Sequence, residues 1–319
     1  MEHNSSSWTR RDFFRKLAMP AAGAWLLLHG CGRGKDAPPR AAANKRPQSP
    51  LPFDLVTVRG GEPEALVTAA LAALGGMKSF VKPGETVLLK PNIGFNRVPE
   101  QAANTNPDVV RALARAALEA GAKRVIVYDN CLNEPRHCFT RSGIGDAVQG
   151  LGVELEYTEE RKFIDCDVKG KWLGKWPVYR EVLEADRVIN IPVAKQHGTS
   201  GLSLGMKNLM GAIGGKRDAL HQDIHVALAD LSAFLKPTLT VLDAYRILLR
   251  NGPQGGSLDD VSLTRALAVG VDPVAVDAFG CTLFGIDPAT LGFLTEGQSR
   301  GLGLIAPPAA RRKDISLGA

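Results

Sequence analysis

Several signatures that would settle a function quickly are missing from this chain. Its five cysteines, Cys31, Cys131, Cys138, Cys166 and Cys281, match no zinc or iron–sulfur spacing, so neither an intrinsic iron–sulfur cluster nor a structural zinc site is expected. No G-x-G-x-x-G follows the first strand-like run, which leaves a nicotinamide cofactor without support. Gly215-Lys216 is followed by Arg217, and no glycine stands five residues earlier, so there is no Walker A loop. No G-x-S-x-G elbow surrounds Ser200 or Ser203. There is no internal repeat. The apolar run from Leu17 to Leu28 is broken by Pro20 and Gly23 and falls short of the about 20 residues a membrane span needs.

Charge is unevenly placed. The formal charge is +6. Arg10, Arg11, Arg15 and Lys16 against Glu2 and Asp12 leave a surplus of two on residues 1–30. Arg33, Lys35, Arg40, Lys45 and Arg46 against Asp36 add four on residues 31–52, so residues 53–319 are neutral. The basic pI belongs to the N-terminus, and a nucleic-acid function loses its usual electrostatic footprint. A basic segment beside an anionic membrane surface suits this distribution better.

Thr9-Arg10-Arg11-Asp12-Phe13-Phe14 ahead of the short apolar run resembles a twin-arginine export signal spanning residues 1–30. Leu28-His29-Gly30-Cys31 resembles a lipoprotein processing box, which predicts lipidation at Cys31; cleavage nearby without a lipid is the alternative. Residues 31–52, rich in Pro, Ala, Lys and Arg, read as a disordered tether. Residues 53–319 remain for one α/β domain. The expected location is the periplasm or the outer face of the cell envelope. The expected partners are the twin-arginine translocase, the membrane surface through Cys31, and a small anionic ligand.

Apolar, β-branched runs recur at Leu55–Val58, Thr86–Lys90, Arg124–Asp129, Val153–Tyr157, Arg187–Val193, Leu239–Asp243 and Leu267–Val271. Helical patterns lie between most of them. Asn106-Pro107-Asp108 supplies a cap, a first-position proline and a first-turn acid. The alternation predicts a doubly wound, mostly parallel sheet with helices on both faces. The Gly- and Lys-punctuated stretch from Leu155 to Lys175 breaks it and reads as a small β insertion.

In such sheets ligands bind beyond the carboxyl ends of the strands. The runs end in Lys90 and Asn92, Asp129, Lys195 and His197, Asp243, and Asp272, which places these residues on one rim; taken alone, Asp272 before Pro273 reads as a helix cap. The glycine-rich run Gly198–Gly215 adds Lys207 and Asn208 and a backbone suited to an anion. His221 and His225 stand four apart with helical periodicity, the geometry of a two-histidine metal pair. Gln222 occupies the place of the glutamate in H-E-x-x-H, so a zinc-protease base is missing. On this reading Lys90, Lys195 and Lys207 hold carboxylate or phosphate oxygens, while Asn92 and Asn208 orient the ligand. His197 or His221 moves a proton, with Asp243 or Asp129 setting its tautomer. The enzyme class stays open. A non-catalytic carrier of a metal or metallocofactor, with a divalent metal at His221 and His225, is the alternative; a purely structural envelope protein ranks last.

These blocks also carry a family resemblance. Lys90-Pro91-Asn92, Asn106-Pro107, Gly121-Ala122, Pro192-Val193-Ala194-Lys195-Gln196-His197 and Met206-Lys207-Asn208-Leu209-Met210-Gly211 come in order. His221, Asp223-Ile224, Asp243, Gly252-Pro253-Gln254-Gly255-Gly256 and Asp272-Pro273-Val274-Ala275-Val276-Asp277-Ala278 follow. Together, across roughly Val56 to Pro288, they resemble the bacterial and archaeal family known as domain of unknown function 362. Many relatives carry a ferredoxin-like cysteine cluster, which this chain does not. The resemblance implies roles for Lys195, His197, Lys207, Asn208 and Asp277. It counts against a shared metal role for His225, where relatives often have Asn.

Overall fold

The structure is a computed structural model that describes residues 50–318. The leader, Cys31 and most of the tether lie outside the described residues. The strands in the first half are β1 (Leu55–Arg59), β2 (Thr86–Pro91), β3 (Arg124–Tyr128), β4 (Glu154–Glu156), β5 (Phe163–Asp167) and β6 (Lys175–Tyr179). Those in the second half are β7 (Arg187–Ile191), β8 (Val193–His197), β9 (Gly201–Ser203), β10 (Leu239–Leu248), β11 (Val261–Gly270) and β12 (Arg312–Ser316). Helices α1 (Pro63–Ala73), α2 (Pro107–Glu119), α3 (Pro135–Arg141), α4 (Ile144–Val148) and α5 (Arg180–Glu184) alternate with the early strands. The later ones are α6 (Gly205–Asn208), α7 (Ile224–Leu235), α8 (Pro273–Thr282) and α9 (Gly292–Ser299).

The main sheet runs β12-β1-β11-β10-β7-β2-β3-β4, with β8 and β9 joined to β10. From β10 through β4 every pair is parallel. Residues along each central strand alternate between two apolar layers. Val87 and Leu89 face the layer built with α1 and α2, and Leu88 faces the layer built with α7 and α8. Burial on both faces is why these strands read as continuous apolar runs rather than alternating ones. The fold is thus the mostly parallel α/β sheet that the pattern predicts.

Capping at α2 follows the sequence closely: the Asn106 side chain accepts from the Asp108 N–H at 2.9 Å. Most of the stretch 155–175 lies in an antiparallel β5–β6 hairpin outside the main sheet, while Leu155 and Glu156 belong to edge strand β4. Asp230 of α7 pins its tip by accepting from the N–H groups of Lys171, Trp172 and Leu173.

Two departures bear on the site. The strand before Asp272 is antiparallel to β10, pairing Gly270 with Thr240 at the amino end of that strand. Asp272 is therefore delivered to the opposite rim, where it caps α8 by accepting from Ala275 N–H at 2.8 Å. The run Arg187–Val193 is not one strand. Pro192 separates β7, in the sheet centre, from β8, which pairs instead with the far half of β10 and with β9. A proline cannot donate to a central ladder, so the chain shifts partner there.

The four described cysteines are unbridged. The Cys131 thiol donates to the Asp129 carbonyl at 3.7 Å, and Cys281 is buried in α8. Among the described residues no helix is long and apolar enough to cross a membrane.

Candidate functional site

A cleft of about 130 Å³ opens beyond the carboxyl ends of β2 and β3 and against β8. Lys195 and His197 are two apart on β8, which puts both side chains on one face of the strand. That face is a wall of the cleft, and α6 adds Lys207 and Asn208 to it. Asn92, Phe95, Asp129, Asn130, Arg217 and His221 complete the polar and aromatic lining.

Three lysines were expected to face a ligand. They have three different fates. Lys90 is fully buried and donates to Asp129 Oδ1 at 2.8 Å and to Pro91 O at 3.2 Å. Burial pushes its ammonium below the usual lysine range, with Asp129 opposing the shift. It is spent on the fold rather than on a ligand. Asp129 is likewise committed, since its other oxygen accepts from Ile93 N–H at 2.7 Å. Gly211 packs so closely here that an added methyl group would overlap the Asp129 carboxylate. That is the physical need for glycine at this position.

Lys195 is also buried. It donates to Asn92 Oδ1 at 2.8 Å and to the Ala103 carbonyl, and stands 4.8 Å over the Phe95 ring. Desolvation brings its pKa down to about 7, with Lys207 and Lys90 pushing in the same direction. Lys207 is the exception among the three. It is 8% exposed, and its one hydrogen-bond acceptor is the Met210 thioether at 3.4 Å. No carboxylate among the described residues lies within ion-pair distance of it. Burial, followed by the neighbouring Arg217, lowers its pKa to about 8. Arg217 donates to the carbonyls of Asn130 at 2.8 Å and Cys131 at 3.4 Å, again with no carboxylate partner.

The asparagines form a relay beneath these cations. Asn92 Nδ2 donates to Asn208 Oδ1 at 3.1 Å, Asn208 Nδ2 to Asn190 Oδ1 at 2.9 Å, and Asn190 Nδ2 to Gly205 O at 2.9 Å. Their amides hold Lys195 and α6 in register and line the cleft only in passing. Asn190, buried inside β7, was not singled out from the sequence; mid-strand in an apolar run, it had no local signal.

His197 and His221 meet in the wall, with ring centroids 5.8 Å apart and planes within 10°. His197 Nδ1 accepts from the N–H groups of Thr199 at 3.1 Å and Ser200 at 3.3 Å. Burial, then the charges of Lys207, His221 and Lys195, hold its pKa near 3. Its ring is therefore neutral, with the proton on Nε2. His221 Nδ1 stands 3.2 Å from the Asp218 carbonyl oxygen, so the tautomer that donates to that carbonyl turns Nε2 into an acceptor.

Neither Asp243 nor Asp129 sets a histidine tautomer, contrary to expectation; the turn after β8 does so for His197. Asp243 is buried in β10, accepting from Asn106 N–H at 2.7 Å and Tyr245 N–H at 2.9 Å, with burial raising its pKa to about 6. Asp277 is no ligand contact either. It accepts from Gly205 N–H at 2.6 Å and Met206 N–H at 2.8 Å. The backbone amides of the glycine-rich run that were best placed for an anion thus already hold a protein carboxylate. His225 turns away from His221, its ring stacked on Phe293 of α9 at 6.2 Å. A 3₁₀ segment, Arg217–Asp223, precedes α7, so the four-residue spacing is not carried on one α-helical face. Among the described residues, no cluster of three His, Cys, Asp or Glu is positioned to hold a metal.

This is a mostly parallel α/β protein with a cation-lined cleft at its strand ends. It belongs to the family described as domain of unknown function, DUF362, whose model matches residues 87–282. The thylakoid-associated protein sll1697 of Synechocystis sp. is 31% identical over 247 residues, 75% of each chain. Among solved structures, the lactate racemase apoprotein from Thermoanaerobacterium thermosaccharolyticum is 13% identical with a TM-score of 0.48. A structural-genomics protein from Thermotoga maritima is 15% identical with a TM-score of 0.42. This chain matches over 75% and 70% of its length, and spans 58% and 60% of theirs, respectively.

Proposed function

We propose that this protein is exported and binds a small anion, a carboxylate or phosphate, in the cleft, where it moves a proton on that molecule. The observation that carries the reading is Lys207, a nearly buried cation in the wall with no anionic partner among the described residues. Burying an unpaired charge is costly, and a bound carboxylate or phosphate offsets that cost through a charge-assisted hydrogen bond. Lys195 and Arg217 add positive charge beside it, and the limited volume favours a small ligand. For the chemistry, the neutral His197 supplies Nε2–H to an oxygen that gains charge, and His221 Nε2 accepts a proton. The twin-arginine-like leader supports export.

Calorimetric titration with a panel of small carboxylates and phosphate esters tests the binding. The expected outcome is a ligand whose affinity drops at least about tenfold in Lys207→Ala. Unchanged affinity in that variant removes Lys207 from the site and the reading with it. Exchange of a ligand proton in D2O, followed by NMR and lost in His221→Ala, tests the proton transfer.

A further inference from the structure

The geometry points to Lys207 as a covalent site: its amine forms an imine with a small anion that carries an aldehyde or ketone group. This inference rests on the anion-binding reading and adds to it a substrate class. Two lysines line the cleft, and only one is free to act as a nucleophile. Lys195, although desolvation brings it lower still, to about 7, is held by Asn92 Oδ1 and the Ala103 carbonyl against the Phe95 face, so its nitrogen is not free to turn toward a ligand. Lys207 meets only the weakly accepting Met210 sulfur. Burial and the adjacent Arg217 bring it to about 8, so an appreciable fraction is neutral amine near physiological pH. A desolvated lysine beside another cation is a recurring way to activate an amine toward carbonyls.

The cleft supplies the rest of the chemistry. Arg217 is placed to attract the ligand's anionic group. The neutral Lys207 nitrogen adds to the carbonyl carbon, and its proton passes to the carbonyl oxygen to give a carbinolamine. The C–O bond then breaks as that oxygen takes up one proton and leaves as water, and the nitrogen lone pair forms the C=N⁺ bond. His197 Nε2–H lies in the same wall as a donor to the departing oxygen, and His221 relays a proton from solvent. No oxidant or further reactant is required.

The test uses the full chain with glyoxylate as the probe, sodium cyanoborohydride to reduce any imine, and peptide mass mapping to locate the product. The expected result is a single carboxymethyl group on Lys207, accumulating faster as pH rises from 7 toward 8. Lys207→Arg removes the primary amine while keeping a cation, so it is expected to lose the adduct completely. Binding without trapping in the wild type, or labelling spread over surface lysines, overturns the imine and leaves the anion site standing. Neither binding nor trapping removes both readings. An adduct that persists in the Lys207→Arg variant assigns the chemistry to another amine and overturns this inference.

Discussion

At the scale of single residues, the proposed anion site predicts that Lys207 weakens the fold. Its ammonium is desolvated against Met210 and Arg217, with no carboxylate to compensate. Lys207→Met fills the same space with an unbranched apolar chain. It is expected to stabilise the domain by on the order of 1–2 kcal/mol at neutral pH, a few degrees in Tm, while removing anion binding. The pH dependence fixes the cause. The folded pKa of about 8 lies below the ordinary 10.5, so between these values the unfolded chain binds more protons than the folded one. Wild-type stability therefore rises with pH across that window, and the gap to Lys207→Met, full below pH 8, closes as pH approaches 10.5. Calorimetry from pH 7 to 10 checks this. A variant less stable than wild type at pH 7 would mean that Lys207 holds a favourable contact, and that the cleft is not built around an unmet charge.

At the scale of elements, α6 is positioned by one carboxylate from another helix. Asp277 of α8 takes both N–H groups at the start of α6, the turn that carries Lys207 and Asn208. Asp277→Ala leaves two buried donors unpaired, so it is expected to cost about 2–4 kcal/mol in denaturant unfolding and to weaken ligand binding by displacing α6. Wild-type stability in that variant would show that α6 is held by its apolar neighbours alone. Elements also mark where the sequence was legible. The strand ends at Lys90 and Asp129 could be read because parallel strands buried on both faces leave the core abruptly, whereas Lys195 sits inside β8 and not at a strand end. The direction of β11 could not, since a strand's sense is set by the partner beside it and not by its own residues. Asp272 was misplaced for that reason. Asp243 and Asp277 read as site residues because carboxylates at strand ends and in family blocks look alike, whether they face a ligand or bind distant backbone N–H groups. The tautomer of His197 depends on a turn two and three residues later, a geometry that no spacing discloses.

At the scale of the whole molecule, charge is divided between two parts with different ranges of action. Residues 53–319 carry no net charge, so the proposed ligand would be drawn to the cleft by the local group of Lys195, Lys207 and Arg217 and not by an overall field. Lys195 and Lys207 are buried and Arg217 half-buried, and salt screens buried charges far less than exposed ones. The surplus positive charge lies in residues 1–52 and would act on an anionic membrane surface from solvent, within a Debye length. The two interactions should therefore separate on a salt axis. For the full chain carrying Cys31→Ala, which removes any lipid, adsorption to vesicles containing phosphatidylserine is expected to fall steeply between about 0.05 and 0.5 M salt. The affinity of the cleft for its anion should change by only a few-fold over the same range. Vesicle sedimentation and calorimetry on one preparation measure both. Parallel salt dependences would mean that the cleft cations are solvated rather than buried, and the case for Lys207 as an unmet charge would fail with that result.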